Sequence, residues 1–322
     1  IRLSLVGSEM CIRDRLYRIP VVNIIGSEGN GIYGAAFNIY NIMLVLSSYG
    51  LPMAVSKLVS ARFTKKRYKS AAKVLRCSLM VAVCTGGIAA LLVFFGASFI
   101  ENVIYGGGLP GLAIPLRILA PTIFLVAILG VIRGFFQGQS TMIPTAVSQI
   151  LEQIVNAIVS IAAGYGMMKA FASSPDVAAY GAAGSTLGTA MGALTAVLFM
   201  GFLYAVYTPT FNRLKRKDRH TENQSTGQIC KIIIYTMIPI ILGQTFYQIS
   251  ALIDDVMFSN IMVGRDITKS ISMDLGNFSS SYSLLIGIPQ GVASAMSASM
   301  LPSVVASVSY THLRAHETKA NL

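Results

Sequence analysis

Seven stretches of this chain are each long and apolar enough to cross a bilayer, and no other feature limits its fold as tightly. They run approximately from Ile32 to Leu58, Ala71 to Ile100, Leu112 to Phe136, Ile143 to Met168, Ala179 to Tyr207, Ile229 to Val263 and Leu275 to Ser307, after a truncated first segment ending near Ile25. A spanning helix needs roughly 20 mostly apolar residues, so the expected fold is all-α, a polytopic transmembrane bundle of about eight helices. The longer segments must tilt, kink or project beyond the membrane. Only 12% of the 322 residues are charged, against about a quarter in soluble domains. The net charge of +12 does not point to nucleic acid, because such a binder sets its cations on a polar, aromatic surface and not between apolar runs.

Both ends are expected to be foreign to the protein. Residues 1–15, IRLSLVGSEMCIRDR, back-translate with permitted codons into an indexed sequencing adapter. Residues 308–322, VSYTHLRAHETKANL, back-translate into a string that contains its reverse complement. The natural segment is then Leu16 to Ser307, an internal piece of a longer protein. Cys77, Cys84 and Cys230 remain within it and lack a CxxC pair, so they are read as packing residues, with no disulfide framework or zinc site.

Basic residues set the orientation. Arg62, Lys65, Lys66, Arg67, Lys69, Lys73 and Arg76 follow the Ile32 to Leu58 segment, and Arg213, Lys215, Arg216, Lys217, Arg219 and Lys231 precede or open the Ile229 segment. Four spans separate the two groups, which places both on one side, the cytoplasmic one. The opposite turns, around Glu101, Asp176 and Asp266, carry few cations. The basic loops are read as solvated faces that fix topology and touch anionic lipid. Thr208 to Gln228 is the one extended polar stretch, and it suggests two lobes: 16–211, a cytoplasmic loop at 212–228, and 229–307. A faint repeat, GIYGAAF with GLPMAVSKLVS and later GNFSSSY with SMLPSVVAS, fits a transporter built from internal repeats.

Polar side chains inside a bilayer are costly and face a bundle interior or an aqueous cavity. Gln149, Glu152, Gln153, Asn156 and Ser160 share one helical face. That face is either a cavity wall or a hydrogen-bonding seam between helices. Asn38, Asn41 and Ser48 share another, and Gln244, Tyr247, Gln248 and Asp255 a third. Asp254 and Asp255 are adjacent, so their side chains diverge by about 100° and only one can face a cavity. Arg18, Arg117 and Arg133 could pair with a diphosphate through the guanidinium fork, or snorkel to the interface from near a helix end. Lys57 follows Gly50 and Pro52 and serves either as an anchor or in substrate capture.

GLPMAVSKLVS (50–60), RGFFQG (133–138) and PTAVSQILEQIVN (144–156) resemble the polysaccharide-biosynthesis family typified by stage V sporulation protein B, within the multidrug/oligosaccharidyl-lipid/polysaccharide exporter superfamily. The likeness spans Leu16 to Ser307. It implies about fourteen helices in two lobes around a central cavity, with Lys57, Arg133, Gln137 and Glu152 at family motif positions. It also implies flipping of a polyprenyl-diphosphate-linked cell-wall or polysaccharide precursor, lipid II foremost, by alternating access. The expected partners are that lipid-linked oligosaccharide, membrane lipid and, where transport is ion-coupled, a cation. No nucleic acid, cofactor, catalytic residue or metal is called for, and the expected location is the bacterial cytoplasmic membrane. Two alternatives stand: a cation-coupled multidrug antiporter using Asp254, Asp255 or Glu152, and a membrane-embedded glycosyltransferase or polymerase.

Overall fold

The computed structural model describes residues 18–139, 141–218, 225–265, 271–278 and Pro289, with the side chains of Arg18, Ile19, Tyr247 and Ala251 excepted. Nearly all of them belong to one compact unit, Pro20–Ser280; of the other, formed by residues 1–19 and 281–322, only 18, 19 and 289 are described. Among the described residues the secondary structure is helical, and six helices are long and apolar enough to span a membrane.

α1, Arg18–Leu44, is kinked at Gly26, whose φ of 71° and ψ of 176° are open to glycine at little cost. This kink stands where the sequence separates the truncated first segment from the next. After α1 the helix widens into a π turn at Val45–Tyr49 and resumes beyond Gly50 as α2, Leu51–Thr64. Pro52 lies in the first turn of α2. Its ring would clash with a regular preceding turn and it has no N–H to donate, which is where helices bend or bulge.

α3, Tyr68–Phe99, extends through a second π turn, Ile100–Ile104. α4 follows at Ala113–Gln137, α5 at Ile143–Ala170, α6 at Val177–Lys217, α7 at Thr226–Val263 and α8 at Ile271–Phe278. The first basic loop is therefore only a turn at 65–67, because helix occupies 62–64 and 68–76. The second polar stretch is likewise shorter than 208–228. α6 continues through Pro209 to Lys217 because Phe211 is buried in an aromatic cluster, its ring stacked on Phe63 and 5.3 Å from that of Phe135. α7 opens at Ser225 with a capping box closed by Gln228. The last expected span starts four residues early, at Ile271, and beyond Phe278 it lies outside the described residues except for Pro289.

Glycines set the tightest helix contacts. On α6 a Cβ at Gly184, Gly188 or Gly192 would fall against the backbone of α5 at Ala163, Asn156 and Glu152 respectively. On α4 a Cβ at Gly134 or Gly138 would meet the carbonyls of Pro52 and Ser56 on α2, at 2.6 and 2.8 Å. Small residues spaced by four let backbones touch, which supplies packing that lipid alone does not drive. The outward faces are apolar: Phe95 is 76% exposed and Phe202 66%, as a hydrocarbon-facing surface requires.

Candidate functional site

Arg133 and Glu152 bring opposite charges together between two helices of the bundle. Arg133 comes from the last turns of α4 and Glu152 from the middle of α5, and Arg133 Nη2 donates to Glu152 Oε2 at 2.7 Å. Both side chains are largely enclosed, at 13% and 17% exposure. Arg133 Nε donates to Ser148 Oγ at 3.0 Å, and that hydroxyl donates to the Thr145 carbonyl at 2.7 Å. A buried cation is thus held by a carboxylate and a hydroxyl together, which is how charges persist inside membranes. Tyr40, packed within α1, lies in electrostatic range of the same carboxylate.

The shared face of α5 divides between two neighbours. Glu152 turns to α4, whereas Asn156 and Ser160 are buried toward α6. Ser160 Oγ lies 2.8 Å from the Ser185 carbonyl and 2.9 Å from Asn156 Oδ1, and its one proton serves either acceptor. That end of the stripe is a seam between helices, and Gly188 of α6 sits directly over it. Gln153 stands between the two directions, with a buried Oε1 that has no hydrogen-bond partner among the described residues. Gln149 and Gln137 are half-buried; Gln137 lies one turn beyond Arg133 on α4.

A second polar contact joins α1 to α7. Asn38 Nδ2 donates to Asp255 Oδ2 at 2.6 Å, and the adjacent Asp254 points outward and is exposed. Asn41, Gln244 and Gln248 are half-buried nearby in sequence, while Ser48 turns to Ser47, its hydroxyl partner at 2.8 Å. Lys57 is exposed. Arg117 is exposed and donates to Ser98 on α3 at 2.9 Å. The side chains of Arg18 and Tyr247 lie outside the described residues.

The sequence placed a turn near Glu101, after α3, but not the contacts that hold it. Glu101 holds it, its carboxylate accepting from the N–H groups of Gly111 and Ala113 at 3.1 and 2.7 Å. Ser259 and Asn260 of α7 then donate to the carbonyls of Tyr105 and Ile104, each at 2.8 Å. Tyr105 is fully buried, and its phenol is pushed above its ordinary range, first by burial and then by the Asp255 charge. The run of three glycines after Tyr105 is the local sequence sign of this turn. Gly106 and Gly107 adopt φ of 60° and 72°, and a Cβ on Gly106 would approach Asn260 Oδ1 at 2.9 Å.

The profile of the family described as "Polysaccharide biosynthesis protein" matches residues 12–307. The chain is 34% identical over 166 residues to the lipid II flippase MurJ of Bacillus subtilis (strain 168), covering 50% of this chain and 30% of that protein. It is 24% identical over 308 residues to stage V sporulation protein B of the same organism, covering 94% and 57% respectively. The chain therefore spans only about a third to somewhat over half the length of these curated relatives. Its fold is similar to that of a solved structure described as an outward-facing multidrug resistance MATE family transporter of the MOP superfamily, with a TM-score of 0.61 at 17% identity, over 98% of this chain and 72% of that one. A MOP superfamily transporter from Pyrococcus furiosus aligns with a TM-score of 0.62 at 16% identity, over 95% and 69%.

Proposed function

Because this chain belongs to the polysaccharide biosynthesis protein family, we propose that the protein it comes from is a multi-pass transporter that flips a polyprenyl-diphosphate-linked precursor, lipid II foremost. The observation that carries this reading is the enclosed Arg133–Glu152 pair between two helices of membrane-spanning length, with a guanidinium held in place by a carboxylate and the Ser148 hydroxyl. A guanidinium can exchange one oxyanion for another, because carboxylate and phosphate present matching pairs of acceptors. Half-buried Gln149 and Gln137 beside the pair offer neutral donors for sugar hydroxyls. The prenyl tail needs no site of its own, since the exposed apolar faces leave it in lipid. No covalent step is required, so the protein acts as a transporter and not an enzyme.

In this reading residues 16–211 form the first lobe and α7 opens the second, joined across 212–228. The basic ends near 65–69 and 213–217 face the cytoplasm of a bacterial cell, as the excess of cations on that side favours. Alternating access then moves the second lobe against the first, about contacts such as Asn38–Asp255.

The test uses the uninterrupted gene in cells depleted of their own lipid II flippase, with labelling of lipid II in the outer leaflet as the readout. Restored labelling that falls about tenfold or more in R133Q at an equal level of folded, membrane-inserted protein supports the reading; a membrane-inserted protein that restores none overturns lipid II as substrate. A cation-coupled antiporter is the second reading, favoured by the half-buried Asp255 carboxylate, which accepts from the neutral Asn38 amide. It predicts efflux of organic cations that depends on Asp255 and on a sodium or proton gradient.

A further inference from the structure

α7 is held to the helices before it in two unlike ways. Its opening turns are sunk in their apolar packing: Ile229, Ile233 and Met237 are buried, in one cluster with Leu51 of α2, Val74 of α3 and Phe211 of α6. Cys77 Sγ of α3 lies 3.7 Å from the Thr226 carbonyl that opens the helix. At the end of this stretch Met237 rests on Gly50, where an added Cβ would stand 3.1 Å from the Met237 Cβ. The seat under Met237 is braced. In the wide spacing of the π turn at Val45–Tyr49, the donor to the Ser47 carbonyl would be residue 52, a proline without an N–H. Thr85 Oγ1 of α3 donates to that carbonyl instead, at 2.9 Å.

Beyond Met237 the pattern changes. Pro239 stands inside α7, so the Tyr235 carbonyl lacks its usual helical donor and the helix is free to bend there. From Ile238 to Phe258 no described side chain is buried. α7 regains the earlier part of the chain only near its far end, roughly 27–33 Å past Met237 along a helix. The contacts there are polar: Asn38 donates to Asp255, and Ser259 and Asn260 donate to the carbonyls of Tyr105 and Ile104.

The two attachments differ in how readily they part. Lifting Met237 and its neighbours from the cluster would expose large apolar side chains to any water that entered, whereas a hydrogen bond to a carbonyl is exchanged for one to water at small net cost. On the two-lobe reading of the protein, we infer that the division between lobes falls inside α7, at Pro239: residues 226–237 stay with the first lobe, and residues 240–263 swing with the second. Met237 keeps its seat on Gly50 throughout, and the bonds of Asp255, Ser259 and Asn260 are those made and broken in each cycle. The stretch at 212–228 then joins two parts of one lobe, and the link between lobes is helical.

The experiment uses the full-length protein freed of its native cysteines, in lipid nanodiscs, with two engineered pairs oxidised to disulfides. G50C/M237C fixes the seat, and G106C/N260C fixes the far end, where a Cβ on Gly106 would lie 2.9 Å from Asn260 Oδ1. α1 and α8 touch at Gly31 and the Ser272 carbonyl, and hydrogen exchange of residues 27–33 and 271–278, read by mass spectrometry, reports the opening of that crossing with no substrate present. Oxidising G106C/N260C should slow this exchange about tenfold or more, while oxidising G50C/M237C should change it less than about twofold. Equal slowing by the two disulfides would mean that α7 moves as one rod, and no slowing by the far one would mean that the swing does not pass through α7; either result overturns the proposal. P239A supplies the missing backbone donor at an exposed position and tests the hinge without a crosslink. Slower exchange at the crossing is expected, and an unchanged rate overturns the assignment of the bend to Pro239. None of these readouts involves a lipid-linked substrate, so a failed lipid II assay leaves them standing.

Discussion

Removing Arg133 strands Glu152 as a buried anion, whereas removing Glu152 leaves an arginine that still bonds Ser148 and can reach toward the interface along its long stem. R133Q should therefore destabilise by about 3–5 kcal/mol, the range for breaking one partner of a buried pair, and E152Q by clearly less. The double variant should recover part of the R133Q loss, measured as coupling in a double-mutant cycle of thermal unfolding in detergent. Strict additivity would show that the two charges do not depend on each other. Tyr105 gives a prediction of opposite sign. Its hydroxyl is buried without a hydrogen-bond partner among the described residues, an arrangement that costs about 1–3 kcal/mol. Y105F should leave the melting temperature unchanged or raise it; a clear drop would mean that the hydroxyl is satisfied, for example by bound water.

Helix packing obeys the glycines more than the polar residues. Gly188 is occupied from the other side by Ser160 Oγ and the Asn156 carbonyl, while a Cβ on Gly87 of α3 would enter open space. G188A should cost about 1–3 kcal/mol by overpacking, and G87A should stabilise by up to about 1 kcal/mol, because alanine is the better helix former. Equal melting temperatures for the two variants would contradict the α5–α6 contact. The same contrast explains what the sequence could reveal. Long apolar runs need only length and composition, so the six spans among the described residues were legible, as was the break near Gly26. The α5 stripe was legible as a face, but the division of that face between α4 and α6 was not. That division depends on which neighbour carries the glycines, and Gly184, Gly188 and Gly192 lie on a different helix. Helix ends were misjudged for a similar reason: Phe211 prolongs α6 past Pro209 through rings supplied by α2 and α4. Asn38 and Asp255 were each singled out, yet their pairing spans 217 residues and no local pattern encodes it.

At the scale of the whole molecule, the end opposite the basic turn at 65–67 is closed by contacts between the first helices and the last ones described. Asn30 Nδ2 donates to the Gly276 carbonyl at 2.9 Å. A Cβ added to Gly276 would land on the Ser27 carbonyl, and one added to Gly31 on the Ser272 carbonyl, so α1 and α8 touch backbone to backbone. The turn after α3 is tied to α7 at the same time, through Ser259 and Asn260. A transporter that alternates must break such a closure once per cycle, and a bulky residue at the crossing should hold it broken. In a cysteine-free full-length protein, I32C places a thiol at a position only 2% exposed, which should react slowly with a membrane-impermeant maleimide. Adding G276L forces α1 from α8 and should raise that rate about tenfold or more, equivalent to a shift of about 1.4 kcal/mol toward the open population. N260A releases only the α3 turn and should raise it less. If neither substitution changes the labelling rate, Ile32 is shielded by something other than this crossing, and the closure must be carried elsewhere in the protein.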